Sequence, residues 1–596
     1  MGTSSASAIV ARARARGWQA RNLQMMDLYE ISDGTRRALI FRSSTERSGA
    51  ASAHVAYDRA MSAEFLHRLG FSVPHTAVVI RPETLLAFRA RHERIVVKPS
   101  SGRYGRGTTL GVCSDGDARR ALATARSRSR ALMQAAVAQP HLDGHSYQLC
   151  VVAGRVFAVR RDHPNPLAAG RHPHQGATLV PIEPSERHER LALAVAERLP
   201  LDPVAIDVIA RGPEAPATII GFDPSPRIHW FGTEALDHYL DHLFDPRRPP
   251  RPGPVTARGA RPWAPSRHRP EGAYVRTLVD AARAQGWEAW SMAGAMRSWA
   301  LLTDREHWLL PIRRTLTDRT SYPAYWVAQN KAATDLVLRE RGYPVPDSVV
   351  ASDPEDASAL LASFPLVVKP VDGSGGHGIS VGVTDTAELA SAIQRAVGAN
   401  RLPVPKALVQ VQAPGSDTRV LVVDQRHVYG IQRLPARVVG DGQHTIRALI
   451  AARNEAVPFH SRTIAVDKRL RTYLGKGSRS LDDIPAPDEV VRLNDVSNAS
   501  LGGWCCDVSS TVGAELRRTA IDLARELDLA VIGIDVVSPD VAADPGRIIE
   551  VNHSPALNIH ETPDSGIPRP AIAGQIVASL IRWITESPWT TPPIAD

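Results

Sequence analysis

The 596-residue sequence predicts an α+β protein whose basic plan is laid down twice. Short apolar runs of strand character alternate with amphipathic segments and glycine turns. Five such blocks recur in the same order in the two halves. A Pro- and Arg-rich stretch, Asp245–Pro270, separates the two sets and reads as a linker. The expected boundaries are 1–245 for an N-terminal module, 246–270 for the linker, 271–328 for a segment preceding the second module, and 329–596 for that C-terminal module. The pattern does not dictate a sheet order.

The first pair of blocks is VARARARGWQA (Val10–Ala20) and VDAARAQGWEA (Val279–Ala289), each a helix closing on Gly-Trp and leading into a strand. YDRAMSAEFLHRLGFSVP (Tyr57–Pro74) then parallels QNKAATDLVLRERGYPVP (Gln329–Pro346), amphipathic helices ended by glycine with a Val-Pro exit. RIVVKPSSGRYGRGTTLGV (Arg94–Val112) parallels PLVVKPVDGSGGHGISVGV (Pro365–Val383). Gln139–Val159 parallels Val411–Ile431, and AIDVI…IIGFDPSP (Ala205–Pro226) parallels GIDVV…IIEVNHSP (Gly533–Pro555). The offset between copies grows from 271 to 328 positions, so the second copy carries about 57 extra residues between roughly 432 and 505.

The stretch that organises the second copy is FPLVVKPVDGSGGHGIS, Phe364–Ser380. Val367 and Val368 read as a buried strand end. Lys369 follows, then a loop with Gly373, Gly375, Gly376 and Gly378. Such a loop is entropically costly, and its N–H groups can approach an anion closely, as a polyphosphate requires. It is not a Walker A loop, and LGKGS (Leu474–Ser478) fails that pattern too, because glycine follows its lysine. Of 71 basic residues 65 are arginine, so the six lysines stand out: 98, 331, 369, 406, 468 and 476. Lysine is a compact point charge rather than a planar fork. Lys98, Lys331 and Lys369 fall where an anion site would want them, whereas Lys406, Lys468 and Lys476 read as surface residues.

A charged fraction of 22% and an apolar fraction of 43% are those of an ordinary globular protein. The net charge of +9 favours anionic ligands, but much of the excess sits in the linker and no interleaved basic and aromatic pattern points to nucleic acid. Cys113, Cys150, Cys505 and Cys506 have neither metal-ligand nor disulfide-framework spacing, and the adjacent pair reads as two small buried side chains. The N-terminus lacks an apolar signal region and a myristoylation pattern, and no run reaches a membrane span. The expectation is a cytoplasmic protein with no nucleic-acid or membrane partner, homo-oligomerisation being left open.

Together these blocks resemble the ATP-grasp superfamily, and the second copy is similar to the ATP-grasp region of cyanophycin synthetase and bifunctional glutathione synthetase. The carrying residues are NKAATDLVLRERGYPVP, VVKPVDGSGGHGI, PGSDTRVLVV, PARVVGDGQHTIRALI, NASLGG and GIDVV…IIEVNHSPALNIHETP, spread over most of 325–585. The resemblance implies two tandem ATP-grasp-like modules, each with a small N-terminal α/β pre-domain. It also implies a carboxylate–amine ligase forming an acyl-phosphate, with ADP and phosphate as products and amino acids or a small peptide as substrates. The implied cofactors are ATP and Mg²⁺, with Mn²⁺ as the alternative cation.

By that resemblance Lys331 and Lys369 contact the phosphates, and Gly373, Ser374, Gly375, Gly376 and Gly378 form the flap over them. Gln410 and Gln412 belong to the adenine hinge, and Asp417 to the ribose contact. Asp535, Glu550 and Asn552 are the implied metal ligands; Glu550 and Asn552 are two apart in a strand and share a face. Arg433 and the Asn498–Gly503 loop face the acyl-phosphate and the carboxylate substrate, which makes Arg433, Asn498 and Lys369 the candidate catalytic residues. Two departures bear on substrate: Gln410 stands where most relatives carry glutamate, and Leu501 where threonine is common. The first copy departs further, with Arg59 in place of Lys331 and Gly221 in place of Glu550, while Lys98, Asp207, Asp223, Gly102, Gly105 and Gly107 persist. It reads as a degenerate half serving substrate binding, assembly or regulation. The alternatives are an ATP-grasp modifier of a protein or ribosomal peptide, and a nucleotide-binding scaffold without turnover.

Overall fold

The computed structural model describes residues 4–102, 105–129, 135–163, 176–244, 273–292, 298–304, 308–373, 375–401, 404–456, 463–494, 497 and 499–585. The linker expected at 246–270 lies outside them. Within these ranges the chain divides into two compact units, one built from Met1–Asn22, Met26–Trp326 and Leu580–Asp596, the other from Leu23–Met25 and Val327–Ser579. Among the described residues no helix is long and apolar enough to cross a membrane.

The first unit opens with helix Ser5–Ala15, whose N-cap Ser4 accepts from the Ser7 amide. Gly17, at φ 79°, turns the chain into a three-stranded sheet of Gln19–Asn22, Leu28–Ser32 and Arg37–Phe41. Helix Ala273–Ala284 leads in the same way into Glu288–Ser291, Trp299–Thr303 and Leu309–Arg313. Residues 273–326, expected ahead of the C-terminal module, thus group with the first unit.

Two matching segments there meet reciprocally. The Ala50 amide donates to Thr320 O at 2.8 Å and the Tyr322 amide to Ser48 O at 2.6 Å, around a bridge between Gly49 and Ser321. Position 49 must be glycine, because a Cβ there would lie 2.4 Å from Asp318 Oδ1. Buried Asp318 accepts from the Ser52 amide and hydroxyl at 2.7 and 2.8 Å.

A four-stranded sheet follows in the first unit, ordered Ala77–Val79, Ala136–Pro140, Ile95–Pro99, Thr109–Val112. A five-stranded sheet is ordered Thr178–Ile182, Arg155–Asp162, His145–Val152, Val204–Ala210, Thr218–Asp223. The second unit has the same two orders. Its four-stranded sheet runs Ser348–Ala351, Ala407–Val411, Leu366–Pro370, Ser380–Val383. Its five-stranded sheet runs Trp504–Asp507, His427–Leu434, Ser416–Val423, Val531–Ser538, Arg547–Asn552. Even a bulge recurs, after Asp207 in one and after Asp535 in the other. The four-stranded sheets are each backed by apolar side chains, including Val97, Leu122 and Ala138 in one and Val368, Ile393 and Val409 in the other.

The residues expected as an insertion between roughly 432 and 505 lie between the hairpin strand His427–Leu434 and the edge strand Trp504–Asp507. They form a two-stranded ribbon, Arg437–Val439 with Val490–Arg492, and two helices, Ile446–Ala456 and Lys468–Lys476. These pack on a small core of their own that includes Ile450, Leu474 and Val491. Cys505 is fully buried but Cys506 only partly, contrary to the expectation of two buried thiols. They are successive residues of one strand and therefore face opposite ways.

Candidate active site

The site in the second unit is assembled from one helix and two sheets. Helix Lys331–Glu340 starts at Asn330, whose side chain accepts from the Ala333 amide at 2.9 Å. This cap places Lys331 in the first turn, 7% exposed, with Nζ 3.0 Å from Gly373 O and 3.2 Å from Glu550 Oε1. An ammonium at a helix N-terminus opposes the helix dipole, so the Glu550 carboxylate is what balances it.

Lys369 sits in the four-stranded sheet, 5% exposed. Its Nζ donates to Gln410 Oε1 at 2.8 Å and to Ile549 O at 3.3 Å. Gln410 in turn donates to Asp335 Oδ1 at 3.0 Å. Burial, partly countered by Glu550, pushes the Lys369 ammonium down to about 8. Lys331, Asp335, Gln410 and Glu550 line one narrow cleft that encloses only about 10 Å³.

On the five-stranded sheet Asp535 stands directly opposite Glu550, and Asn552 lies two residues further on the same strand, so the three share a face. Arg419 holds Asp535 through Nε and Nη2, and Arg433 reaches the same carboxylate at 3.0 Å. Arg433 also donates to both oxygens of Asp417, at 2.6 and 2.8 Å. Burial works against a charged Asp535, but the two guanidiniums outweigh it and hold its carboxyl far below the usual range. Asp417 moves the other way, since burial exceeds the help from its arginine.

The structure therefore bonds Lys331 to Gly373 and Glu550, bonds Lys369 to Gln410 and to the Ile549 carbonyl next to Glu550, and gathers Asp417, Arg433 and Asp535 into a further network. Gln412 is bonded elsewhere, its Oε1 accepting from the Gly382 amide at 3.0 Å. Gly375, Gly376 and Gly378 turn at φ 75–77°. Gly378 packs so tightly that a Cβ would come 2.4 Å from that of Ala399. Ser374 and Asn498 lie outside the described residues.

Two functional partners were missed in the sequence. Asp335 is four residues after Lys331 on the same helix face, and Arg419 two after Asp417 on the same strand face. That spacing was the available signal. Among the described residues no group of three or more His, Cys, Asp or Glu is gathered to hold a metal ion. The Asp535, Glu550 and Asn552 set offers two carboxylates and an amide. Among the described residues the buried Asn552 Nδ2 has no hydrogen-bond partner.

The family model of the RimK-like ATP-grasp domain matches residues 328–441. The chain is 31% identical over 297 residues to cyanophycin synthetase of Crocosphaera subtropica, which covers 48% of this chain and 34% of that protein. It is 31% identical over 273 residues to the glutathione biosynthesis bifunctional protein of Mannheimia succiniciproducens, covering 42% and 35%. The chain thus spans about a third of the length of these curated relatives. The solved bifunctional glutathione synthetase of Pasteurella multocida is similar over 59% of this chain and 48% of its own, with 23% identity and a TM-score of 0.41.

Proposed function

We propose, on the premise that residues 328–441 are a RimK-like ATP-grasp domain, that the second unit is an ATP-dependent carboxylate–amine ligase. The observation that carries this is the meeting of two buried ammonium groups, Lys331 and Lys369, around Glu550, which lies more than 180 positions further along the chain. Two cations held where water is scarce suit a polyphosphate, and their burial is otherwise a cost. The reaction joins an amino acid or small peptide to an amine through an acyl-phosphate, releasing ADP and phosphate. A carboxylate needs this activation because it is a poor electrophile at neutral pH.

Lys331 and Lys369 bind the phosphates, the Gly373–Gly378 loop covers them, and Gln410 orients Lys369 while held by Asp335. Arg433 is fixed by Asp417 and Asp535 to face the carboxylate substrate. Hard oxygen donors on one sheet face fit a divalent cation, so Asp535, Glu550 and Asn552 are the residues that would hold Mg²⁺ or Mn²⁺. When bound, that cation supplies neutralisation of phosphate charge.

We read residues 1–245 as a degenerate ATP-grasp-like module in tandem with the second. Supporting this are the shared strand orders, the shared bulge, and the position of Gly221 opposite Asp207 just as Glu550 is opposite Asp535.

The test is a screen of amino-acid pairs with ATP and Mg²⁺, reading ADP release and product masses. Pair-dependent ADP release with a product lighter than its two substrates by one water is the expected result. Nucleotide binding without ADP release in any mixture, peptides included, would refute ligase activity.

A further inference from the structure

The first unit contains a cavity of about 360 Å³, within the range of small-molecule sites. It lies between the four- and five-stranded sheets of that unit, the place that the Lys331 cleft holds in the second. The same structural positions line it with different chemistry. Arg59 begins helix Arg59–Arg68, as Lys331 begins its own, and its guanidinium donates to Pro99 O at 2.8 Å and Gly102 O at 3.1 Å. Lys98 occupies the strand position of Lys369. Among the described residues its ammonium has no hydrogen-bond or ion-pair partner within reach.

The carboxylates nearby are already engaged. Asp207 pairs with Arg161 at 3.0 Å and accepts from Gln148 at 2.9 Å. Asp223 accepts from the Ser225 amide at 2.9 Å, and Asp27 lies 3.8 Å from Arg42. The residue that would balance Arg59, by analogy with Glu550 and Lys331, is Gly221, and a Cβ there would meet nothing within 4 Å. Losing that carboxylate opens the cavity and leaves the two cations to share Asp207, itself held by Arg161, with the helix-capping Asp58 beside Arg59. Gln148 is 4% exposed, and among the described residues its Oε1 in the same wall has no partner.

Two cations sharing one already paired carboxylate are incompletely compensated, and a bound anion reduces that cost. We propose that the first unit holds a second ligand site, which takes a polyphosphate-bearing small molecule directly on Arg59 and Lys98 without a divalent cation. The missing Glu550 equivalent takes away the central metal ligand, so direct cation contacts replace the metal bridge. Gly102 and Gly105 bring backbone to the same wall, and Val96, Leu110, Ile209 and Ile220 offer an apolar surface to the rest of the ligand. This site is independent of the reaction assigned to the second unit. Burial and the neighbouring Arg59 push the Lys98 ammonium down to about 7, so anion binding above that pH takes up a proton.

The experiment is calorimetric titration of the full chain carrying Lys369→Met, which weakens binding in the second unit's cleft, with ADP and with inorganic tripolyphosphate in EDTA. One equivalent is expected to bind, with a heat that varies with buffer ionisation at pH 8. Adding Lys98→Met should weaken binding by about tenfold or more, as loss of a charge-assisted contact requires. Gly221→Glu restores the carboxylate beside Arg59. It should weaken metal-free binding similarly while the melting temperature stays within about 2 °C, there being open space at that position. Equal affinity for the two probes supports the site with free polyphosphate as ligand, and clearly tighter ADP supports it with a nucleotide. No binding in EDTA, or binding that both variants leave unchanged, overturns the proposal.

Discussion

Replacing Lys369 by methionine removes one positive charge while keeping the shape of the stem. In the native chain burial lowers this ammonium from 10.5 to about 8, so holding it charged at neutral pH costs about 3 kcal/mol. The cost is relieved only as pH rises from 8 towards 10.5, where the folded chain has released the proton and the unfolded chain has not. Against that relief, the variant leaves Gln410 Oε1 and Ile549 O without their donor, about 1–3 kcal/mol each. The opposing effects leave the ligand-free chain destabilised by at most a few kcal/mol, on the order of 2. Nucleotide binding has no such compensation. A lost charge-assisted contact of about 1.5–3 kcal/mol weakens Kd about 10- to 100-fold.

The assay is titration with an ATP analogue in Mg²⁺ from pH 6.5 to 9.5, with the Lys98→Met background lowering the first unit's contribution. Affinity of the parent should fall as pH passes about 8, where the Lys369 ammonium discharges, and the variant should be flat. A folded Lys369→Met chain with Kd within about twofold of its parent would refute the assignment of Lys369 to the phosphates.

Three other perturbations probe separate parts of the molecule. Glu550→Gln removes a metal-ligand carboxylate and the partner of Lys331, so turnover should fall by about 100-fold or more and more Mg²⁺ should be needed for half-maximal rate; an unchanged Mg²⁺ dependence counts against a metal role. Burial pushes the Asp318 carboxyl up to about 7, so the folded chain keeps a proton that the unfolded chain has released. Stability present below about pH 4 is thus lost as pH rises to 7, by up to about 4 kcal/mol, and urea midpoints of Asp318→Asn should show a flatter profile over that window. Asn330→Ala deletes the cap of the Lys331 helix and should destabilise the second unit by about 1 kcal/mol in denaturant unfolding; a loss below about 0.3 would show the cap to be dispensable.

The mixed α and β character and the recurrence of sequence blocks were legible in the chain, because each depends on local spacing. Gly17 and Gly286 close their helices, Gly375, Gly376 and Gly378 turn at positive φ, and Glu550 and Asn552 share a face through the two-residue period of a strand. The extra 57 residues were countable, but not that they build their own core, which depends on Ile450 meeting Val491. Nor could spacing show that Gln410 is tied to Asp335, that Arg419 and Arg433 share Asp535, or that residues 273–326 group with the first unit.

Sequence by itself determined which residue types stand at each repeated position, including arginine for Lys331 and glycine for Glu550 in the first copy. Only tertiary structure decided which charges are balanced. That balance depends on distances across sheets, between residues hundreds of positions apart, and on how much water folding has removed from around them.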